Sequence, residues 1–226
     1  RQRPGTALGA YAWRAGVELA CCVERCFRGR LAGLRVLELG SGTGVTAIAL
    51  ARLGARVTAT DLLPDLVALI EENAKGSGLR PGRCLPVRFA WGEALPGPLL
   101  APFDLVVGSE ITYNEGGFEP LVRTLQDLCG AAEGRPPPAV LLAETLRNAQ
   151  QPRFWALAGR GGLAAREVAA VPQSDSWNVH DRAAPVRIFE LWAHGRGLER
   201  PPIADAHPLS ATCPRCATLA EAADAL

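Results

Sequence analysis

Residues Val36 to Gly44 read V-L-E-L-G-S-G-T-G, an apolar strand that runs into an acidic side chain and then into glycines at alternate positions. Glycine has no Cβ, so a turn built this way can take up dihedrals closed to other residues and can approach another group closely. The pattern predicts a strand-turn-helix unit that presents bare backbone to a nucleotide-like ligand. Few folds accommodate it, and the rest of the chain narrows them further.

Strand and helix patterns alternate along the sequence. A helix near Ala12 to Cys26 precedes strand one at Arg35 to Leu39, and a helix at Val45 to Leu53 stops at Gly54. Strand two is expected at Arg56 to Thr60, a helix at Leu63 to Ala74 and strand three at Cys84 to Phe89. Phe103 to Gly108, F-D-L-V-V-G, is an almost unbroken apolar run, as expected of a strand covered on both faces. A helix at Phe118 to Cys129, strand five at Ala139 to Ala143, a helix at Pro152 to Ala158, and strands at Ala164 to Val171 and Pro185 to Trp192 follow. The expected fold is α/β, a doubly wound, mainly parallel, seven-stranded Rossmann-like sheet. One domain is expected over 1–194, an N-terminal helical segment 1–30 and a core 31–194. From Gly195 onward periodicity is lost, which predicts a disordered tail over 195–226.

Composition limits the class. With 226 residues, 48% of them hydrophobic, one domain can bury a substantial core. A formal charge of +1 argues against a nucleic-acid partner. No apolar run reaches membrane-spanning length and no signal peptide is legible, which predicts a cytoplasmic protein, with access to the nucleus open; a monomer with no membrane partner is expected. Seven cysteines, an odd number, read as reduced packing residues. The chain has no methionine and starts at Arg1, which predicts a fragment or a processed form.

Gly42, Gly44 and Ala47 also satisfy the dinucleotide fingerprint G-x-G-x-x-G/A, so two ligand classes compete for the turn. Glu38 separates them. A dinucleotide would bring pyrophosphate against this carboxylate, whereas a ligand carrying an ammonium and a sulfonium would be attracted to it. S-adenosylmethionine is such a ligand. Asp61, at the end of strand two, is placed to accept hydrogen bonds from ribose hydroxyls, a feature both classes require; it also suits a cap for the helix beginning near Pro64.

Ligands in open parallel sheets lie beyond the carboxyl ends of the strands, where strand order reverses. Strand four ends G-S-E-I-T-Y-N, which brings Ser109, Glu110, Tyr113 and Asn114 towards the glycine turn. Polar groups and an aromatic in that position are costly unless solvated or used.

These residues carry a resemblance. G-A-Y-A-W at Gly9 to Trp13, V-L-E-L-G-S-G-T-G at Val36 to Gly44, T-A-T-D at Thr58 to Asp61, F-A-W-G at Phe89 to Gly92 and F-D-L-V-V-G-S-E-I-T-Y at Phe103 to Tyr113 resemble, in order and spacing, the seven-β-strand protein methyltransferases of lysine methyltransferase family 16. The resemblance implies an S-adenosylmethionine-dependent enzyme acting on a protein substrate. It implies that Glu38, Gly40, Gly42 and Gly44 form the cofactor motif and that Asp61 holds the ribose. It also implies that Trp91 lies beside the adenine and that Trp13 lines the cofactor's amino-acid end. Ser109 joins the cofactor set. Glu110 and Tyr113 match the acidic-x-x-Tyr motif, with Glu where Asp is commoner. A Glu-x-x-Tyr-Asn stretch is similar to the histidine-methylating branch, so lysine and histidine acceptors both stay open.

Methyl transfer from a sulfonium requires placement and a neutral nucleophile. A lysine of pKa near 10.4 costs about 4 to 5 kcal/mol to deprotonate at neutral pH. Glu110 is expected to orient the cofactor's amino end or the incoming amine, and Tyr113 to wall the acceptor channel. Ser174 to His180 is expected over the acceptor side, with His180 a surface residue; His194 and His207 show no partner pattern. Cys213 and Cys216 have half of a zinc site's spacing and no second pair, so no metal is expected. A catalytically silent cofactor-binding module and a nicotinamide-dependent oxidoreductase are the competing readings.

Overall fold

The structure, a computed structural model, describes residues 8–27, 29–130, 136–145, 150–172 and 185–193. Ser174 to His180, His194, His207, Cys213, Cys216 and the expected tail 195–226 lie outside the described residues.

The described residues form one seven-stranded sheet. Its strands are β1 (Arg35–Leu39), β2 (Arg56–Asp61), β3 (Cys84–Arg88), β4 (Leu105–Ser109), β5 (Ala139–Thr145), β6 (Leu163–Val171) and β7 (Val186–Ala193), in the order β3-β2-β1-β4-β5-β7-β6. β1 to β5 run parallel, and β7 is inserted antiparallel between β5 and β6. The mainly parallel α/β expectation therefore holds.

Strand periodicity explains the two faces. Val36, Leu105, Val107 and Leu141 point into a core shared with α1 (Arg14–Phe27), α2 (Val45–Arg52) and α3 (Pro64–Gly76). Leu37, Val106, Val140 and Leu142, one residue out of phase, meet α4 (Phe118–Cys129) and α5 (Gln151–Arg160) on the other face. A strand buried on both sides has no polar phase, which is why β4 reads as a continuous apolar run.

Several boundaries move. β4 starts at Leu105, because Asp104 instead uses its carboxylate on the Arg35 backbone N–H and guanidinium at 2.8 and 2.9 Å, tying together the amino ends of β1 and β4. β5 runs two residues past Ala143, to Glu144 and Thr145. Trp13 stands just ahead of α1 rather than within it; its carbonyl accepts from Gly16 N–H at 3.1 Å and so starts the helix.

Strand order reverses around β1, whose parallel neighbours β2 and β4 lead away in opposite directions through the sheet. The carboxyl ends of β1, β2, β4 and β5 consequently lie side by side, at the edge where open parallel sheets bind ligands.

Candidate active site

The turn after β1 holds Gly40, Gly42 and Gly44 at φ of 65°, 54° and 79°, the left-handed region. At Gly42 close approach adds to the dihedral: a Cβ there would stand 2.6 Å from the Gly9 carbonyl oxygen. Gly9 belongs to a short 3₁₀ turn, Leu8–Ala10, whose Ala10 packs with Leu66 and Leu69 of α3. The chain ahead of α1 thus lies directly on the glycine turn. Gly16 continues the contact, since a Cβ on it would meet Thr46 Oγ1 at 2.8 Å and Ser109 Oγ at 3.2 Å, and Thr46 donates to its carbonyl at 3.1 Å. A glycine inside an otherwise amphipathic helix was the legible sign of this crossing.

Glu38 is 1% exposed, and its Oε2 accepts from the Ala47 N–H at 3.0 Å. α2 begins at Gly44 with no side-chain cap of its own, so the Glu38 carboxylate takes the place of one and neutralises the partial positive charge of the helix start. Burial pushes its pKa up to about 7, against the opposing effect of the Thr46 and Ser41 hydroxyls and the Ala47 amide. A carboxyl whose folded pKa exceeds its unfolded value binds its proton more tightly when folded. Its contribution to stability is therefore greatest at low pH and is lost as pH rises from about 4.5 through 7. We expect ligand-free protein to lose on the order of 3 kcal/mol of stability to this group between pH 4.5 and 8. Denaturant unfolding at a series of pH values should show a shallower slope for Glu38→Gln; equal slopes for both proteins would refute the assignment.

Asp61 ties the next strand to the turn. Its Oδ2 accepts from Gly42 N–H at 3.0 Å and its Oδ1 from Leu63 N–H at 3.2 Å, so it serves both the turn and the entry to α3. The bond to Leu63 N–H bears out the expected role at the entry to α3. Trp91 is half-buried, with its ring 3.3 Å from the Cβ position of Gly40 and 3.4 Å from that of Gly117, and forms a wall beside the turn.

On the other side, β4 ends at Ser109, half-buried, and Glu110 follows at φ 53°, the one non-glycine residue in the left-handed region among the described residues. Its carboxylate accepts from the Thr145 N–H at 2.8 Å and from the Thr145 hydroxyl, while its own N–H donates to Ala143 at 2.9 Å. Two strand ends are thus clasped through one strained residue, a feature that clusters at functional sites. Tyr113, 52% exposed, stands at the rim, and Asn114 caps a 3₁₀ turn by accepting from Gly116 N–H at 3.1 Å.

Glu38, the three glycines, Asp61, Ser109 and Glu110 thus gather along the carboxyl ends of β1, β2 and β4 with Trp91 against the turn, while Trp13 stands ahead of α1. Two others were missed: Glu144 and Thr145, which close β5 after five apolar residues. The same polar ending that marked β4 was present in the sequence there.

A family model described as lysine methyltransferase matches residues 1–160. Protein N-lysine methyltransferase METTL21A of Danio rerio is 35% identical over 153 residues, 65% of this chain and 65% of that protein. EEF1A lysine methyltransferase 3 of Mus musculus is 36% identical over 137 residues, 57% of this chain and 55% of that protein. The chain thus spans less than two thirds of these curated relatives. Among solved structures, the magnesium protoporphyrin IX methyltransferase ChlM from Synechocystis PCC 6803 with bound SAH superposes with a TM-score of 0.55 at 16% identity, over 84% of this chain and 89% of that one, a likeness of fold.

Proposed function

The chain belongs to the lysine methyltransferase family, and on that premise we propose that it binds S-adenosylmethionine and transfers a methyl group to a protein side chain, the lysine ε-amine in the first place. The observation that carries the cofactor is Glu38. Helix starts behind glycine turns bind dinucleotide pyrophosphate through their free N–H groups. Here a carboxylate already holds the Ala47 N–H at 3.0 Å, so a phosphate would meet negative charge and a spent donor. An adenosyl sulfonium meets neither obstacle, and the turn, Asp61 and Trp91 offer bare backbone, an acceptor for hydroxyls and a flat apolar wall.

In this reading Gly40, Gly42 and Gly44 admit the cofactor against the main chain, and Asp61 accepts from its ribose. Trp91 covers the purine, while Trp13 and Ser109 line the amino-acid end. When bound, the cofactor supplies a methyl group already activated by its sulfonium. The protein's remaining task is to bring in a neutral amine and hold its lone pair in line, and loss of water around the amine on binding favours this by disfavouring the ammonium form. Glu110, anchored on Thr145, orients the N–H groups of that amine, and exposed Tyr113 walls the entry.

Calorimetry with S-adenosylmethionine and with NAD tests the cofactor, and labelled methyl transfer into a whole-cell lysate, read by mass spectrometry, tests the reaction. Binding of the sulfonium ligand alone and label on lysine are expected. Heat with NAD instead overturns the cofactor, binding without label reduces the protein to a binding module, and label on histidine moves the acceptor to the other branch. Self-labelling on lysine has one possible position, Lys75, which is exposed on α3 and paired with Glu71 at 2.7 Å.

A further inference from the structure

Glu144, the penultimate residue of β5, has no part in the reaction as described so far. It is 1% exposed, and neither carboxyl oxygen has a hydrogen-bond partner among the described residues. Strand alternation turns it to the face of Val140 and Leu142, where its neighbours are Thr112, Trp155 and Glu110. The Thr112 hydroxyl is itself 1% exposed and without a partner among the described residues.

A buried acid that served packing alone would take a nearby cation. The cross-strand partner of Glu144 on β7, on the same face of the sheet, is a cation, Arg187. Arg187 instead reaches Glu167 on β6, at 3.3 Å. Burial, with added repulsion from the Glu110 carboxylate, raises the Glu144 pKa to about 7 against the opposing effect of the nearby Thr112 hydroxyl and Trp155 ring. An apolar side chain would fill the position at far lower cost. The cost is located at the carboxyl end of a central strand, behind the strained residue Glu110.

We propose that Glu144 is a positioning residue for the acceptor side: backed against Thr112 and Glu110, it fixes the Glu110 to Tyr113 turn and sets the charge that Glu110 presents to an incoming cationic side chain. The link runs through the clasp between Glu110 and Thr145, the residue after Glu144, and through Thr112, which lies within the turn. Glu144 does not reach the reacting atoms; it governs a residue proposed to do so. This inference rests on the methyl-transfer reading.

The test compares Glu144→Gln, which keeps the shape and removes the acid, with Glu144→Asp, which keeps the acid. Labelled transfer is followed into a fixed lysate fraction at increasing concentration and from pH 6 to 9, with S-adenosylmethionine binding measured in parallel. Glu144→Gln should lower kcat about 10-fold and move the limb of the pH–rate profile near neutrality, with cofactor affinity within about 2-fold of wild type. Glu144→Asp should restore part of the rate and the limb, and it keeps the test open if Glu144→Gln does not fold. A Glu144→Gln protein with wild-type kcat, KM and pH profile would overturn the inference. So would a rate loss that merely follows the folded fraction while the profile stays fixed. A wild type that binds cofactor and transfers nothing is a different result, which removes the methyl-transfer reading and this inference with it.

Discussion

Gly42→Ala is expected to lower S-adenosylmethionine affinity at least about 100-fold, a loss near 3 kcal/mol, and to destabilise the ligand-free protein as well. Two costs coincide at this residue. Its φ of 54° is unfavourable for any residue with a Cβ, and the new methyl group would sit 2.6 Å from the Gly9 carbonyl oxygen, where backbone opposes backbone and neither can swing aside. Relief requires the turn to move, and the Gly42 N–H then leaves Asp61 Oδ2, now 3.0 Å away. Gly78→Ala separates the two costs, since Gly78 has φ 69° with nothing within 4 Å of its Cβ position. That control should lose about 1 kcal/mol of stability and no affinity. Calorimetry and thermal unfolding of both variants decide the matter, and equal affinities would show that the Gly9 contact does not govern the turn.

The second large effect is expected at Glu110. Glu110→Ala removes the carboxylate from the Thr145 N–H and hydroxyl but keeps a Cβ at φ 53°, whereas Glu110→Gly removes the carboxylate and the strain together. Both variants should lose turnover by about 100-fold or more while binding cofactor within about 3-fold of wild type. Glu110→Gly should nevertheless be the more stable by about 1 kcal/mol. Single-turnover kinetics alongside thermal unfolding read the two effects independently. Turnover recovered in Glu110→Gly would mean that the backbone conformation, not the carboxylate, is what the acceptor side needs.

Much of the site was legible because its signals are local. The glycine spacing, the acid two residues ahead of it and the polar ending of β4 each follow from short-range rules about where a chain can turn and where polar groups can be tolerated. The element order likewise gave a parallel sheet, since strands alternating with helices have few other ways to pack. Two features were not legible, and a third, Glu144, left a signal that the apolar run obscured. Trp13 was expected inside a helix, because an aromatic beside an amphipathic stretch fits the period, yet the helix starts one residue later on the Trp13 carbonyl. Glu38 could be assigned an electrostatic preference from its position, but not its seat on the Ala47 N–H, which depends on how β1 meets α2. Glu144 was passed over because an apolar run was closed at Ala143.

The fold class, the glycine turn and the acidic character of its surroundings follow from residues that are neighbours in the chain. Packing of the strands and helices is what pins Gly42 against Gly9, seats Glu38 on a helix start, and brings Glu110 across to Thr145 with Glu144 behind it. Those relations join residues from about 10 to 35 positions apart, brought together where parallel strands end side by side, and no local periodicity records them.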